Sequence, residues 1–357
     1  MTLAVNIAQG GSNNVTFRNR IINGAMVISQ YNGTSSVTPS ADSHVIDRFK
    51  YEASQTSKFT IQQNAGSVTP PAGFINYLGF TTASAVTIGS SDYFQTVQII
   101  EGLNIGDLGW GTADAKTVTL SFWVRSSLTG TFGGSLRNSA VNRSYPFSYT
   151  ISAANTWEQK SITIAGDTSG TWLTTNGVGI RLTFGLGNGS TYSGTAGAWA
   201  GANYQNATGA TSVVGTNGAT FYITGVQLEA GTTASPFEYR QYGTELALCQ
   251  RYYQRTTQNG STATGIVSAA IYGTTSAFGV YNFKVSMRTA PTGTASATSA
   301  ITVLANGATY TSTNIVIQAS NPDQCEVVAT VSGATAGQGA WYRFNGTNAW
   351  LDFSAEL

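Results

Sequence analysis

Short runs in which apolar and polar residues alternate recur along the whole chain. Residues 117–125 show the pattern best. Val118, Leu120, Phe122 and Val124 hold one parity, and Thr117, Thr119, Ser121, Trp123 and Arg125 hold the other. A period of two places one face in a core and the other mostly in solvent. Runs rich in β-branched and aromatic residues predict further strands at 59–62, 93–100, 159–164, 178–184 and 219–228. Beyond residue 256 the candidates are 265–272, 278–287, 300–303, 314–318, 326–331, and 340–344 leading into 349–353. Asn-Gly occurs eight times, at Asn23, Asn32, Asn176, Asn188, Asn217, Asn259, Asn306 and Asn345. Both residues tolerate the positive φ that tight hairpin turns require. The expectation is an all-β chain: a jelly-roll β-sandwich, a short helix, and a second, smaller β-sandwich domain.

One segment departs from the strand period. Residues 243–255 carry good helix formers, with Thr244 as a possible N-cap and Arg255 near the end. Leu246, Cys249 and Tyr253 recur at helical spacing and form one apolar stripe. About three turns of helix need a partner to be stable. This linker helix therefore sits between a domain at 17–242 and a C-terminal β domain at 256–357, or meets symmetry copies of itself. Residues 1–16 lack a core-strand pattern and read as an extended N-terminal arm. Residues 186–218 are low in complexity and read as a long loop.

Composition sharpens this picture. The chain has 357 residues, of which only 9% are charged, and its 17 basic and 16 acidic residues leave a formal charge of +1. A typical soluble protein carries about 25% charged residues. No Lys/Arg cluster is present, which argues against nucleic-acid binding. A 41% hydrophobic content argues against disorder. Near-zero net charge gives a free monomer little repulsion and suits a chain in an assembly. No apolar stretch is long enough to span a bilayer, and the first residues have no signal-peptide pattern. Cys249 and Cys325 are expected as reduced thiols.

Chemistry is sparse. His44 is the single histidine and has no Gly-x-Ser-x-Gly elbow with it, so it reads as structural. One His and two distant Cys cannot build a zinc site. By count, 16 carboxylates leave room for a glycosidase pair, but no repetitive groove-building pattern accompanies them. The reading is non-enzymatic and without a cofactor. A structural calcium near Asn23, Asp47 and Glu229 is the one metal candidate, against a capping and turn role for the same residues. Sugar faces stack on aromatic rings. Tyr192, Trp199 and Tyr204 lie among small residues in the long loop, either as a recognition or intersubunit surface or as pins holding the loop to its own domain. Trp341, Tyr342 and Trp350 flank the Asn345-Gly346 turn and carry the same pair of readings.

Several blocks resemble tailed-phage tail-fibre and other virion-surface structural proteins. They are Phe17-Arg-Asn-Arg-Ile-Ile-Asn-Gly-Ala-Met-Val-Ile-Ser-Gln30 with Asp47-Arg-Phe49, Val118 to Ser126, the terminal Ala355-Glu-Leu357, and Ala219-Thr-Phe-Tyr-Ile-Thr-Gly-Val-Gln-Leu-Glu-Ala-Gly231. The last runs on through Ser235-Pro-Phe-Glu-Tyr-Arg240 into Glu245-Leu-Ala-Leu-Cys-Gln-Arg-Tyr-Tyr253. The first domain is also similar to carbohydrate-binding-module jelly rolls, in which an opening Asn-Gly strand lies beside a closing Val-x-Leu-Glu strand. The resemblance implies a homotrimer in the virion, held to other virion proteins by its N-terminal arm and touching host-surface glycan. A capsid decoration or head-fibre protein is the alternative it allows, and a polysaccharide depolymerase a third.

Overall fold

Alternation becomes strand where the sequence shows it, and strands also form where it does not. The structure, a computed structural model, describes residues 17–40, 42–258 and 265–357. The expected N-terminal arm and the Asn259-Gly260 turn fall outside the described residues. The chain divides into two units, Met1–Tyr242 and Gly243–Leu357.

The strands of the first unit are β1 Ser43–Ile46, β2 Phe49–Ala53, β3 Phe59–Gln63, β4 Leu78–Thr82, β5 Tyr93–Glu101, β6 Val118–Ser126, β7 Gly130–Arg137, β8 Ser144–Ile151, β9 Glu158–Ile164, β10 Val178–Asn188, β11 Ser193–Gly194, β12 Asn206–Ala207 and β13 Thr220–Ala230. They build a jelly-roll sandwich of two antiparallel sheets. One sheet has six strands in the order β1-β2-β5-β10-β7-β8, and the other has five in the order β3-β4-β13-β6-β9. Phe49, Tyr51, Phe94, Leu182 and Phe184 of the first sheet meet Phe59, Phe80, Leu120, Phe122 and Phe221 of the second in one core. Phe122 and Phe184 touch edge to face at 5.0 Å between ring centres.

The opening and closing segments of this unit lie side by side. Arg20 N donates to Leu228 O at 2.8 Å, and Val226 N donates to Gly24 O at 2.9 Å. The buried Asn19 amide accepts from Leu228 N at 3.0 Å and donates to Val226 O at 3.2 Å. The opening segment is held by these bonds without becoming a strand itself.

The α-helix found among the described residues, α1, spans Tyr242–Gln250. It ends earlier than the expected 243–255. Tyr253 begins a strand instead, because it pairs with Ser354 and its hydroxyl donates to Asp352 at 2.9 Å. The stripe Leu246, Cys249 and Tyr253 is therefore not one helical face. Cys249 and Cys325 are buried free thiols, and burial pushes the Cys325 thiol up to about 12.

The second unit holds β14 Tyr253–Thr257, β15 Gly265–Gly273, β16 Ser276–Asn282, β17 Thr292–Ala295, β18 Ile301–Ala305, β19 Ala308–Thr311, β20 Asn314–Gln318, β21 Gln324–Thr330, β22 Gly339–Phe344 and β23 Trp350–Ser354. A seven-stranded sheet, β19-β18-β22-β15-β16-β21-β20, packs on a three-stranded one, β14-β23-β17. Phe353 of the small sheet stacks on Tyr281 of the large one at 4.7 Å. Asn306 and Gly307, at φ 45° and 78°, form the two-residue turn joining β18 to β19.

Two further expectations change. The polar parity of β6 is not solvent: Thr119 and Ser121 are buried, and the Thr119 hydroxyl donates to Gly231 O at 2.9 Å. The 186–218 segment is also not all loop. Strand β10 continues to Asn188, and β11 and β12 form a short parallel pair.

Candidate functional site

Residues paired directly across antiparallel strands share a face. On the six-stranded sheet, the face away from the core is therefore read off the register. One row is Ile99, Arg181, Arg137 and Ser144. The next is Lys50, Val97, Thr183, Ser135 and Pro146, and the third is Glu52, Gln95 and Gly185. An outer sheet face should be wet, yet Gln95, Ser135, Arg137, Ser144 and Thr183 are all buried. The covering layer is the segment after β10.

Gly185 makes that covering possible. A Cβ there would stand 2.2 Å from the Asn206 Nδ2, so only a glycine lets the Asn206 carboxamide lie on the sheet. From Asn206 a chain of side-chain hydrogen bonds crosses the face. Asn206 donates to Asn188 at 3.1 Å, Asn188 to Gln95 at 3.3 Å, and Gln95 to Glu52 at 3.1 Å. Each amide has one orientation in this chain, which pre-sets the Glu52 carboxylate.

The charges are unevenly matched. Glu52 is shared between Lys50 at 3.4 Å and Arg181 at 3.5 Å. Arg137 donates only to neutral oxygens, Asn203 Oδ1 at 2.8 Å and Thr183 Oγ1 at 3.2 Å. Burial lowers the Arg137 guanidinium to about 10, with the Glu52 charge acting against this and the Arg181 charge adding to it. The Nε atoms of Arg137 and Arg181, the Ser135 hydroxyl and Gln205 Oε1 are buried without a protein hydrogen-bond partner. Burying polar groups in this state costs free energy that packing alone does not recover.

Tyrosines border this polar cradle. Tyr93 and Tyr192 meet edge to face at 5.5 Å, and burial, then the charges of Asp42 and Glu52, raise the Tyr93 phenol. Tyr204 lies over Gly194, whose Cβ would come within 2.2 Å of the Tyr204 ring, and its backbone N–H donates to the Ser144 hydroxyl at 3.3 Å. Tyr192 and Tyr204, singled out from sequence, thus stand at the cradle. Trp199 does not. It closes the sandwich edge against Tyr145 at 5.2 Å, Trp110 at 5.4 Å and Trp172 at 5.5 Å, and its indole donates to Ala165 O. Lys50, Glu52, Gln95, Arg137 and Arg181 were not singled out from sequence, because only strand register brings them together.

The remaining candidates are dispersed. Asn23 is buried at φ 61°, donates to Ile28 O and Asp47 O, and accepts from Ile28 N. The Asp47 carboxylate accepts two bonds from Gln30 at 2.6 Å each. Glu229 accepts from Ser235 N, Ser235 Oγ and Gln227, with Arg18 at 3.6 Å. Among the described residues no group of three or more His, Cys, Asp or Glu is placed to hold a metal. His44 stacks on Tyr31 at 5.4 Å.

In the second unit, Tyr342 is core and donates to Val327 O, while Trp350 lies under the Arg255 guanidinium at 4.3 Å. Trp341 is 46% exposed. It borders a shallow depression of about 430 Å³ with Leu304, Asn306, Gly307 and Ala269. No polar side chain there is buried and aimed inward in the manner of Arg137. Among the described residues, no helix is long and apolar enough to cross a membrane.

No family model and no curated protein matches the chain. Solved structures do align with it. The enzymatically active domain of tailspike protein 4 from bacteriophage CBA120 aligns at 12% identity and TM-score 0.34, over 60% of this chain and 22% of that one. The alignment thus spans about a fifth of the length of that solved domain. A putative sugar-binding protein from Bacteroides thetaiotaomicron aligns at 13% identity and TM-score 0.34, over 60% of this chain and 100% of that one. A family 11 carbohydrate-binding module from Clostridium thermocellum, in complex with a β-1,3-1,4-mixed-linked tetrasaccharide, aligns at 11% identity and TM-score 0.29, over 57% of this chain and 100% of that one.

Proposed function

We propose that this chain is a non-enzymatic, virion-surface protein of a tailed phage, a fibre component that attaches to host glycan through the cradle on its six-stranded sheet. The observation that carries the glycan reading is the cradle itself. It offers donors and acceptors (Lys50, Glu52, Arg181, Asn188), oriented from below by the buried Gln95, beside the rings of Tyr93 and Tyr192. Sugars are held by that combination, planar polar groups for hydroxyls and aromatic rings for C–H faces. The virion setting rests on the sequence blocks of the first domain and the closing segment.

Binding without cleavage is the reading that the ion pairs of the cradle favour. Glycoside hydrolysis usually needs two carboxyl groups across the scissile bond. Here Glu52 is engaged by Lys50 and Arg181, and the other carboxylate whose charge reaches Tyr93 is Asp42. Incubation of host capsule or lipopolysaccharide with the protein should give retention on the polysaccharide and no new reducing ends. Release of reducing ends would overturn the non-enzymatic reading, and absence of retention would overturn the attachment reading.

The proposal includes self-association as a homotrimer and docking of the N-terminal arm on other virion proteins. An apolar face supports the first. In the second unit Trp341, Tyr272, Val280 and Val316 are all exposed on the outward side of the seven-stranded sheet. Contiguous exposed apolar surface marks interaction sites. Light scattering on the purified chain should report a trimer, and a monomer at micromolar concentration would contradict it.

A further inference from the structure

Resting on the glycan reading above, we propose that the cradle's ligand is an acidic polysaccharide, with an anionic group of the sugar seated against Arg181 and Lys50 and the buried Arg137 adding its charge from the neighbouring strand. Three observations carry this.

The first is a charge excess in a chain that has little charge to place. Only 9% of residues are charged, yet Lys50, Arg137 and Arg181 share one patch of one face with Glu52, and Asp42 acts on Tyr93 at its border. Cations still outnumber carboxylates in this partly buried site, three to two. Two other cations of the same unit are matched closely. Arg143 holds Asp167 through two bonds of 2.8 and 2.7 Å, and Arg20 reaches Asp107 at 2.6 Å.

The second is distance. Charge-assisted N–H···O hydrogen bonds run at about 2.7–2.9 Å. Glu52 stands 3.4 and 3.5 Å from its two cations, so neither Lys50 nor Arg181 is saturated by it. The Lys50 and Arg181 side chains keep 20% and 23% exposure and can reach a ligand.

The third is repulsion built into the sheet. Arg137 and Arg181 are direct cross-strand partners. Like charges placed opposite each other destabilise a sheet, and burial adds to the cost. The Arg137 guanidinium is held there by the neutral oxygens of Asn203 and Thr183. An anion between or beside them relieves the repulsion, and a guanidinium recognises carboxylate or phosphate oxygens in a planar fork. The shared chemistry is a sugar acid group, either the carboxylate of a uronic acid or the phosphate of a phosphorylated sugar.

The test is isothermal titration of the full chain with polygalacturonate, its methyl ester, a phosphomannan and neutral mannan, with neutral glycans on an array as a wider screen. The expected result is binding to polygalacturonate, to phosphomannan or to both, with the neutral counterparts at least about tenfold weaker. Added salt should weaken it. Arg181→Gln should lower affinity about tenfold or more at an unchanged melting temperature, and Lys50→Gln serves as the second variant should the first unfold. Binding only to polygalacturonate identifies a carboxylate, and only to phosphomannan a phosphate. Equal, salt-insensitive binding to the neutral polymers, or array binding confined to neutral glycans, overturns the acidic ligand and leaves the glycan reading standing. Absence of binding to every glycan overturns both.

Discussion

Arg137 and Arg181 stand opposite each other on β7 and β10, on the side of the sheet turned away from the core. Arg137 is 3% exposed and lies opposite a like charge. Its guanidinium donates to Asn203 and Thr183. Arg137→Met leaves those oxygens without that donor but relieves the like-charge contact, so it should cost about 1–3 kcal/mol, whereas Leu182→Ala, next to Arg181 on the core face, should cost about 2–5 kcal/mol. Urea unfolding of the two variants checks this. A gain in stability on Arg137→Met would contradict the bonding described.

The covering segment depends on the absence of one side chain. Gly185→Ala places a Cβ against the Asn206 carboxamide. Overpacking of this kind costs about 1–3 kcal/mol. The 189–207 segment should lift, and limited proteolysis should cut there sooner than in the parent chain. Shortening the neighbour as well, in Gly185→Ala with Asn206→Ala, should restore much of the resistance, since contacting sites are not additive. Unchanged cleavage in the single variant would contradict the packing described.

Asn19 ties the opening segment to β13 by two bonds to main-chain groups of buried residues. Its replacement by Ala leaves the Leu228 N–H and the Val226 carbonyl without that partner. An expected loss of about 2–4 kcal/mol follows from two such groups, readable as a lower urea midpoint. A shift below measurement error would mean the opening segment contributes nothing to the sandwich.

Alkaline pH should unfold the protein cooperatively. Burial raises the phenols of Tyr51, Tyr149 and Tyr342 above their ordinary value of 10.0. A group whose folded value is raised contributes its stability in full below the unfolded value and loses it as pH climbs beyond. The stability from these three is therefore complete at neutral pH and falls once pH exceeds 10. Arg137 acts in the opposite sense, because its folded value of about 10 lies below 12.5 and its cost is relieved as pH rises. Three phenols outweigh one guanidinium, so the urea midpoint should fall above pH 10, with tyrosinate absorbance reaching the full amplitude of 17 tyrosines only on unfolding. Full amplitude before unfolding would contradict the burial of these rings.

The sequence pattern carries most of the sandwich and little of the cradle. Strands β5, β6, β9, β10 and β13 show their alternation openly, and β20 is found at the expected residues. Strands β7 and β8 do not show themselves, because Gly133, Gly134 and Pro146 interrupt them. Those glycines answer to neighbours: a Cβ on Gly133 would strike Asn206, and one on Gly134 would strike the Thr183 carbonyl and the Phe147 ring. The expected helix runs past the observed one because Tyr253 fits a helical stripe with Leu246 and Cys249 as well as it fits a strand, and pairing with β23 decides for the strand. For the cradle, Tyr192 and Tyr204 were visible as aromatics in a small-residue segment, but the same signal pointed to Trp199, which closes the sandwich edge. The charged members lie between positions 50 and 181 and meet only through register. One signal is available: Arg181 sits inside β10, a strand that shows in the sequence and otherwise carries no charge.

Hydrogen–deuterium exchange with and without bound acidic polysaccharide tests the central claim most directly, because it locates the binding surface. Glycan attachment at the cradle predicts new protection in β5, β10 and residues 188–207 of the first unit, absent in Arg181→Gln. Protection confined to β18 and β22 around Trp341, or protection of the cradle that survives Arg181→Gln unchanged, would contradict it.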